Sequence, residues 1–139
     1  MRAGRDKVFV DTGAWIALAL TKDPYHERAK AAWDELAASQ ARLVTSIPVM
    51  IETFTFLDRN ANRDVATRWR DQVTALRRTQ IAECTLADLT KAWAWFDTKG
   101  LTRLSAVDAT SFVLMRRLQI RTAFAFDQHF AHAGFAVMG

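Results

Sequence analysis

The 139-residue sequence contains a single cysteine, Cys84, which excludes an internal disulfide and any zinc site built on clustered cysteines. Its two prolines and five glycines do not gather into a linker, and the chain has no internal repeat or low-complexity tract. No apolar run approaches the roughly 18 residues of a membrane span, because charges interrupt every segment. The opening stretch MRAGRDK lacks an apolar core and does not read as a secretory signal. These absences together point to a reducing, cytoplasmic setting. What is abundant is apolar: half of the residues are hydrophobic, five Trp and nine Phe among them, which argues against disorder. The length suits one domain spanning residues 1–139, large enough to bury a core.

The chain is basic, with a net charge of +4. Its cations are fourteen Arg against five Lys. Guanidinium groups bind phosphate or carboxylate in a two-pronged fashion, so a polyanionic partner is favoured.

The apolar pattern sets out the elements. KVFVD (7–11) reads as a buried strand and 13–20 as an apolar helix. Asp23-Pro24 is expected to start a second helix, with Ala29, Ala32, Trp33 and Leu36 on one face. RLVTS (42–46) is a second strand, after which Ser46 and Pro48 open a helix to about Asp58. Val65, Trp69, Val73 and Leu76 mark a further helix, and QIAEC (80–84) a third strand. Thr85 caps a helix bearing Leu86, Leu89, Trp93 and Phe96, ended by Gly100. Residues 106–118 read as a helix with Val107, Ser111, Leu114, Met115 and Leu118 inward. RTAFAF (121–126) is a fourth strand and FAVM (135–138) a fifth. Apolar strands alternating with helices imply an α/β three-layer sandwich, a parallel sheet of four to five strands flanked by helices.

Ligands of such sheets bind beyond the carboxyl ends of the strands, where strand order reverses. Asp11 directly follows the first strand and Asp127 the fourth. Glu52 lies one turn into the helix after the second strand, and Asp108 in the first turn of the 106–118 helix. Four gathered carboxylates repel one another unless a cation sits between them. Oxygen donors without Cys or paired His select Mg²⁺ or Mn²⁺. Such an ion binds phosphate oxygens and activates water for phosphodiester hydrolysis.

Taken singly, each acid also fits a plainer role. Asp11 suits a helix cap, Asp108 a capping box with Ser105, Glu52 a solvated helix face, and Asp127 a turn. His129 reads as a surface or partly packed histidine, with contact to RNA or a neighbouring carboxylate as the other reading. The Trp and Phe stripes read as core or partner surface rather than base-stacking platforms. Trp33, Trp69, Trp93 and Trp95 are too many for this core to hide completely, so partner-covered apolar surface is expected.

FVDTGAWIAL, IETFTFL, LSAVDATSF and FAFDQHF, in this order and spacing, resemble the four acidic motifs of the PIN-domain family, and within it the VapC-type ribonuclease toxins. The resemblance covers nearly the whole chain. It implies a parallel sheet sandwiched by helices, and metal binding by Asp11, Glu52, Asp108 and Asp127 with Thr12 as the supporting hydroxyl. It further implies Mg²⁺- or Mn²⁺-dependent cleavage of RNA, inhibition by a cognate antitoxin, and a homodimer. Asp11, Asp108 and Asp127 would hold the ion, with Glu52 binding it or orienting the attacking water. Lys99, Arg103, Arg116, Arg117 and Arg121 surround the third and fourth motifs as candidate RNA contacts. Two other readings stand beside this one. A receiver or dehalogenase-type phosphotransfer enzyme also puts Asp at strand ends, but Gly13 occupies the dehalogenase second-acid position, and the receiver's acidic pair and lysine are missing. A non-catalytic RNA- or protein-binding PIN module is opposed by four intact acids.

Overall fold

The computed structural model describes residues 6–139. Residues 1–5, on which most of the signal-peptide reading falls, lie outside the described residues. Five strands, β1 (Lys7–Val10), β2 (Arg42–Ser46), β3 (Thr79–Ala82), β4 (Thr122–Phe124) and β5 (Ala136–Met138), run parallel in one sheet ordered β3-β2-β1-β4-β5. Central β1 registers Phe9 with Val44 on one side and with Ala123 on the other. Both neighbours and both faces are covered, so Val8, Phe9 and Val10 are all buried and an unbroken apolar run suits the strand.

Among the described residues seven helices connect the strands: α1 (Thr12–Ala19), α2 (His26–Ser39), α3 (Ile47–Asn60), α4 (Arg63–Ala75), α5 (Leu86–Ala92), α6 (Ala106–Arg117) and α7 (His129–His132). Right-handed crossovers put α1–α4 on one face and α5–α7 on the other, because the chain moves outward from β1 in opposite directions. The expected α/β sandwich is therefore present. Strand order reverses at β1, which opens the crevice at its carboxyl end toward β4.

Local chemistry explains both the agreements and the departures. Ser46 accepts from Val49 N–H at 3.2 Å with Pro48 in the first turn, so α3 starts as expected. Helix α2 starts later than Asp23-Pro24, at His26. Asp23 instead folds a local turn, its carboxylate accepting from the Tyr25 amide at 2.8 Å. Helix α5 ends at Ala92 and tightens into a 3-10 turn over Trp93–Asp97. The expected stripe does not face the core: Leu86 is 78% and Trp93 52% exposed, while Asp88, Ala92 and half-buried Trp95 face the protein.

Two aromatic clusters form the core. Phe112 is fully buried against Trp95, Phe130 and Phe135, with ring centroids 5.0, 5.0 and 5.8 Å away. Trp15 packs on Trp33 and Trp69, and its Nε1 donates to Thr45 Oγ1 (3.1 Å), which donates to the Val10 carbonyl (3.0 Å). That chain of bonds fixes the end of β1 one residue before Asp11.

Buried Asp88 closes a capping box with Thr85 and takes a two-pronged bond from Arg117, both contacts 2.9 Å. The Arg117 guanidinium holds its carboxyl below the usual range. Asp88→Ala is expected to cost about 2 kcal/mol through the lost cap and ion pair, read by urea denaturation at neutral pH. A lowered folded-state pKa means this contribution is present above the unfolded value of about 4 and fades below it. The wild-type advantage should therefore shrink in acid; an advantage that grows as pH falls would contradict the assignment.

Candidate active site

Asp11 follows β1 directly, and its amide donates to the Phe124 carbonyl at 3.0 Å, tying the ends of β1 and β4 together. It occupies the cap position of α1, yet its side chain makes no capping hydrogen bond. The carboxylate is buried, and Oδ1 has no partner. The hydroxyl of Thr12 beside it is likewise buried and unpartnered. Two orphaned buried oxygens carry a free-energy cost unless something absent from the chain satisfies them.

Ser105 caps α6 by accepting from the Asp108 amide at 3.0 Å. The Asp108 carboxyl is not spent on that cap; it faces Asp127, their donor atoms within 4.8 Å. Asp127 closes a tight turn just past β4, where its Oδ1 accepts from the His129 amide at 2.8 Å. This turn brings in His129, read from the sequence as a surface or partly packed histidine with contact to a neighbouring carboxylate as the other reading. The structure shows it partly packed and beside the carboxylates. His129 is only 18% exposed, with Nδ1 lying 2.9 Å from Asp127 Oδ1 and 3.6 Å from Asp108 Oδ2. The Asp-x-His spacing was the available signal, since an Asx turn folds the second residue back over the carboxylate.

Donor atoms of Asp108, Asp127 and His129 lie within 4.8 Å of one another. Asp11 and half-buried Glu52 stand outside that tight group but within electrostatic reach. Burial, then the charges of Glu52 and Asp127, pushes the Asp11 carboxyl up to about 7, against the lowering pull of the Thr12 and Gly13 amides. Burial and the Asp11 charge, with the neighbouring Asp127 carboxyl, push Asp108 up to about 9. Shifts of this kind arise where acids are gathered against their own repulsion. The donor set fits a hard divalent ion: carboxylate oxygens from β1, α6 and the β4 end, one of them orphaned.

The basic candidates separate. Lys99 and Arg103 are exposed on the loop before α6, which meets the crevice where Thr102 accepts from His129 Nε2 at 2.9 Å. The other three are placed elsewhere. Arg117 is paired with Asp88, and Arg116 lies over Trp95 while donating to the Ala133 carbonyl. Arg121 precedes β4 and lines a cleft with Lys7 at the amino edge of the sheet, opposite the acids.

Comparison with known proteins agrees with this geometry. The family model described as the PIN domain matches residues 8–136. Proteins named 23S rRNA-specific endonuclease VapC20, from two strains of Mycobacterium tuberculosis, are 37% identical over 131 residues, covering 92% of this chain and 95% of theirs. The crystal structure of Mycobacterium tuberculosis VapC20, a sarcin-ricin loop cleaving toxin, superposes with a TM-score of 0.81 at 34% identity, covering 93% of this chain and 96% of that one. VapBC2 from Rickettsia felis, solved on a promoter DNA fragment, shares the fold at a TM-score of 0.70 and 12% identity, over 94% and 96% of the two chains. Matched from β1 into β5 by one family pattern, and over 93% of its length by a relative of known structure, the chain belongs to the PIN-domain family.

Proposed function

We propose that the chain is a Mg²⁺- or Mn²⁺-dependent endoribonuclease, a single nuclease domain acting in the cytoplasm as the toxin of a toxin–antitoxin pair. The observation that carries this reading is the pairing of Asp108 with Asp127 at the sheet's switch point, with the orphaned Asp11 oxygen within electrostatic reach. A bound divalent ion supplies an activated water and stabilises charge on the scissile phosphate. Asp11, Asp108 and Asp127 hold the ion, Glu52 holds it or orients the attacking water, and Thr12 supports the first acid. Hydrolysis bonds the water oxygen to phosphorus as the bond to the departing ribose oxygen breaks. A Mycobacterium tuberculosis relative 37% identical is named for 23S rRNA, which makes that RNA the first substrate to try. With Mg²⁺ or Mn²⁺ the protein should cut it at discrete positions and leave acetyl phosphate intact. Turnover of acetyl phosphate with uncut RNA would overturn the reading.

Lys99 and Arg103, at the rim, meet the RNA backbone. Replacing both by Ala is expected to weaken RNA binding and reduce the salt-dependence slope by about one to two, the signature of lost phosphate contacts. An unchanged slope in a filter-binding titration would remove them from the interface.

An antitoxin helix and a second copy of the chain are the proposed protein partners. Trp15, Leu18, Trp33, Trp69 and Leu76 line a groove of about 700 Å³, a surface suited to an apolar helix. Ile51, Leu86 and Trp93 stand exposed on α3, on α5 and just beyond α5, apolar positions that a second copy would cover. Light scattering should give twice the chain mass, and the neighbouring gene's product should suppress cleavage. A monomer indifferent to that product would contradict both assignments.

A further inference from the structure

We propose that His129 is a metal ligand through Nδ1, so that the site carries one imidazole nitrogen among its carboxylates and selects Mn²⁺ over Mg²⁺. This rests on the reading of the acids as metal holders and extends it to a residue outside the four-acid set.

The geometry leads there in three steps. The Asx turn at Asp127 folds His129 back over the crevice, and buried Nδ1 joins Asp108 and Asp127 with all donor atoms within 4.8 Å. Nε2 lies 2.9 Å from the Thr102 carbonyl, which can only accept, so Nε2 carries the proton. With Nε2 tied to that carbonyl, Nδ1 is the ring nitrogen turned toward Asp108 and Asp127. It makes no directional hydrogen bond despite lying 2.9 Å from Asp127 Oδ1. A cation shared by Nδ1 and the two acids would turn that contact into coordination. Metal-bound histidines are commonly oriented in this way, with the second ring nitrogen tied to a backbone carbonyl.

The consequence is selectivity. Mg²⁺ prefers an all-oxygen shell and keeps its waters, whereas Mn²⁺ accepts imidazole more readily. The other histidines among the described residues are placed differently. His26 Nδ1 bonds the Ala17 carbonyl at 2.7 Å, and His132 is exposed on α7.

The test is pulsed electron paramagnetic resonance on the full chain loaded with Mn²⁺. The wild type should show nitrogen modulation that changes when its histidines carry ¹⁵N. His129→Gln should lack it while still binding the ion. Calorimetry should show Mn²⁺ affinity falling about tenfold in His129→Gln, with Mg²⁺ affinity changing less than about threefold. Mn²⁺ bound in the wild type, and released by Asp108→Asn, but without nitrogen modulation would overturn this inference alone. An equal loss for both ions would overturn the selectivity. Mn²⁺ held as tightly by Asp108→Asn as by the wild type would instead sink the four-acid reading, and this inference with it.

Discussion

Asp11→Asn is expected to lower RNA cleavage by about 10³-fold or more, the loss of several kcal/mol of transition-state stabilisation. The amide is nearly the same size, so packing against the end of β1 is kept while the charged donor is lost. The same change should make the metal-free protein more stable. Asp11 is a buried carboxylate whose charge is opposed by burial and by Glu52 and Asp127. Removing that charge relieves the repulsion, and the melting temperature without metal should rise by a few degrees. The wild type, but not the variant, should then gain further stability from Mn²⁺. A variant that is less stable without metal and still cuts RNA would show Asp11 to be a structural residue.

Phe112→Ala is expected to produce the largest loss of stability of any change discussed here, about 3–5 kcal/mol. Its ring has no solvent exposure and sits between Trp95, Phe130 and Phe135. Truncation leaves a cavity that three rigid rings from separate elements cannot collapse to fill. Phe112 lies one helical turn after Asp108 on α6, so the same cavity should loosen the element that carries an acid into the crevice. Urea denaturation should show a lower midpoint with an unchanged slope. A loss below about 1 kcal/mol would mean that the cluster repacks.

The central strand was legible because KVFV is a nearly unbroken apolar run, and Asp11 because a carboxylate directly after it leaves the sheet at its carboxyl edge. Strand β4 is shorter than RTAFAF and ends at Phe124, so Asp127 follows it after Ala125 and Phe126. Asp108 was harder to read. Ser105 three residues earlier offered it a cap, and only the structure shows the Asp108 amide taking the hydroxyl while the carboxyl turns to Asp127. The start of α2 was hidden because Asp23 serves a side-chain turn and a helix cap equally well on paper. The α5 stripe misled for a different reason. Leu86 already stands exposed within α5, because the buried face is that of Asp88 and Ala92, offset from the apolar stripe. The Thr102 bond of His129 and the roles of Arg116 and Arg117 depend on partners distant in sequence: Thr102, Trp95, Asp88 and Ala133. No local pattern encodes such partners. Tertiary packing decides them.

The most direct test of the account is cleavage of 23S rRNA by the purified protein, stripped of metal and then titrated with Mn²⁺. Wild type and Asp108→Asn are compared under identical conditions. The account predicts no cleavage by the stripped wild type, cleavage at discrete positions once Mn²⁺ is restored, and none by Asp108→Asn at any Mn²⁺ concentration. Cleavage by the stripped protein, or equal cleavage by the two proteins with Mn²⁺, would contradict it.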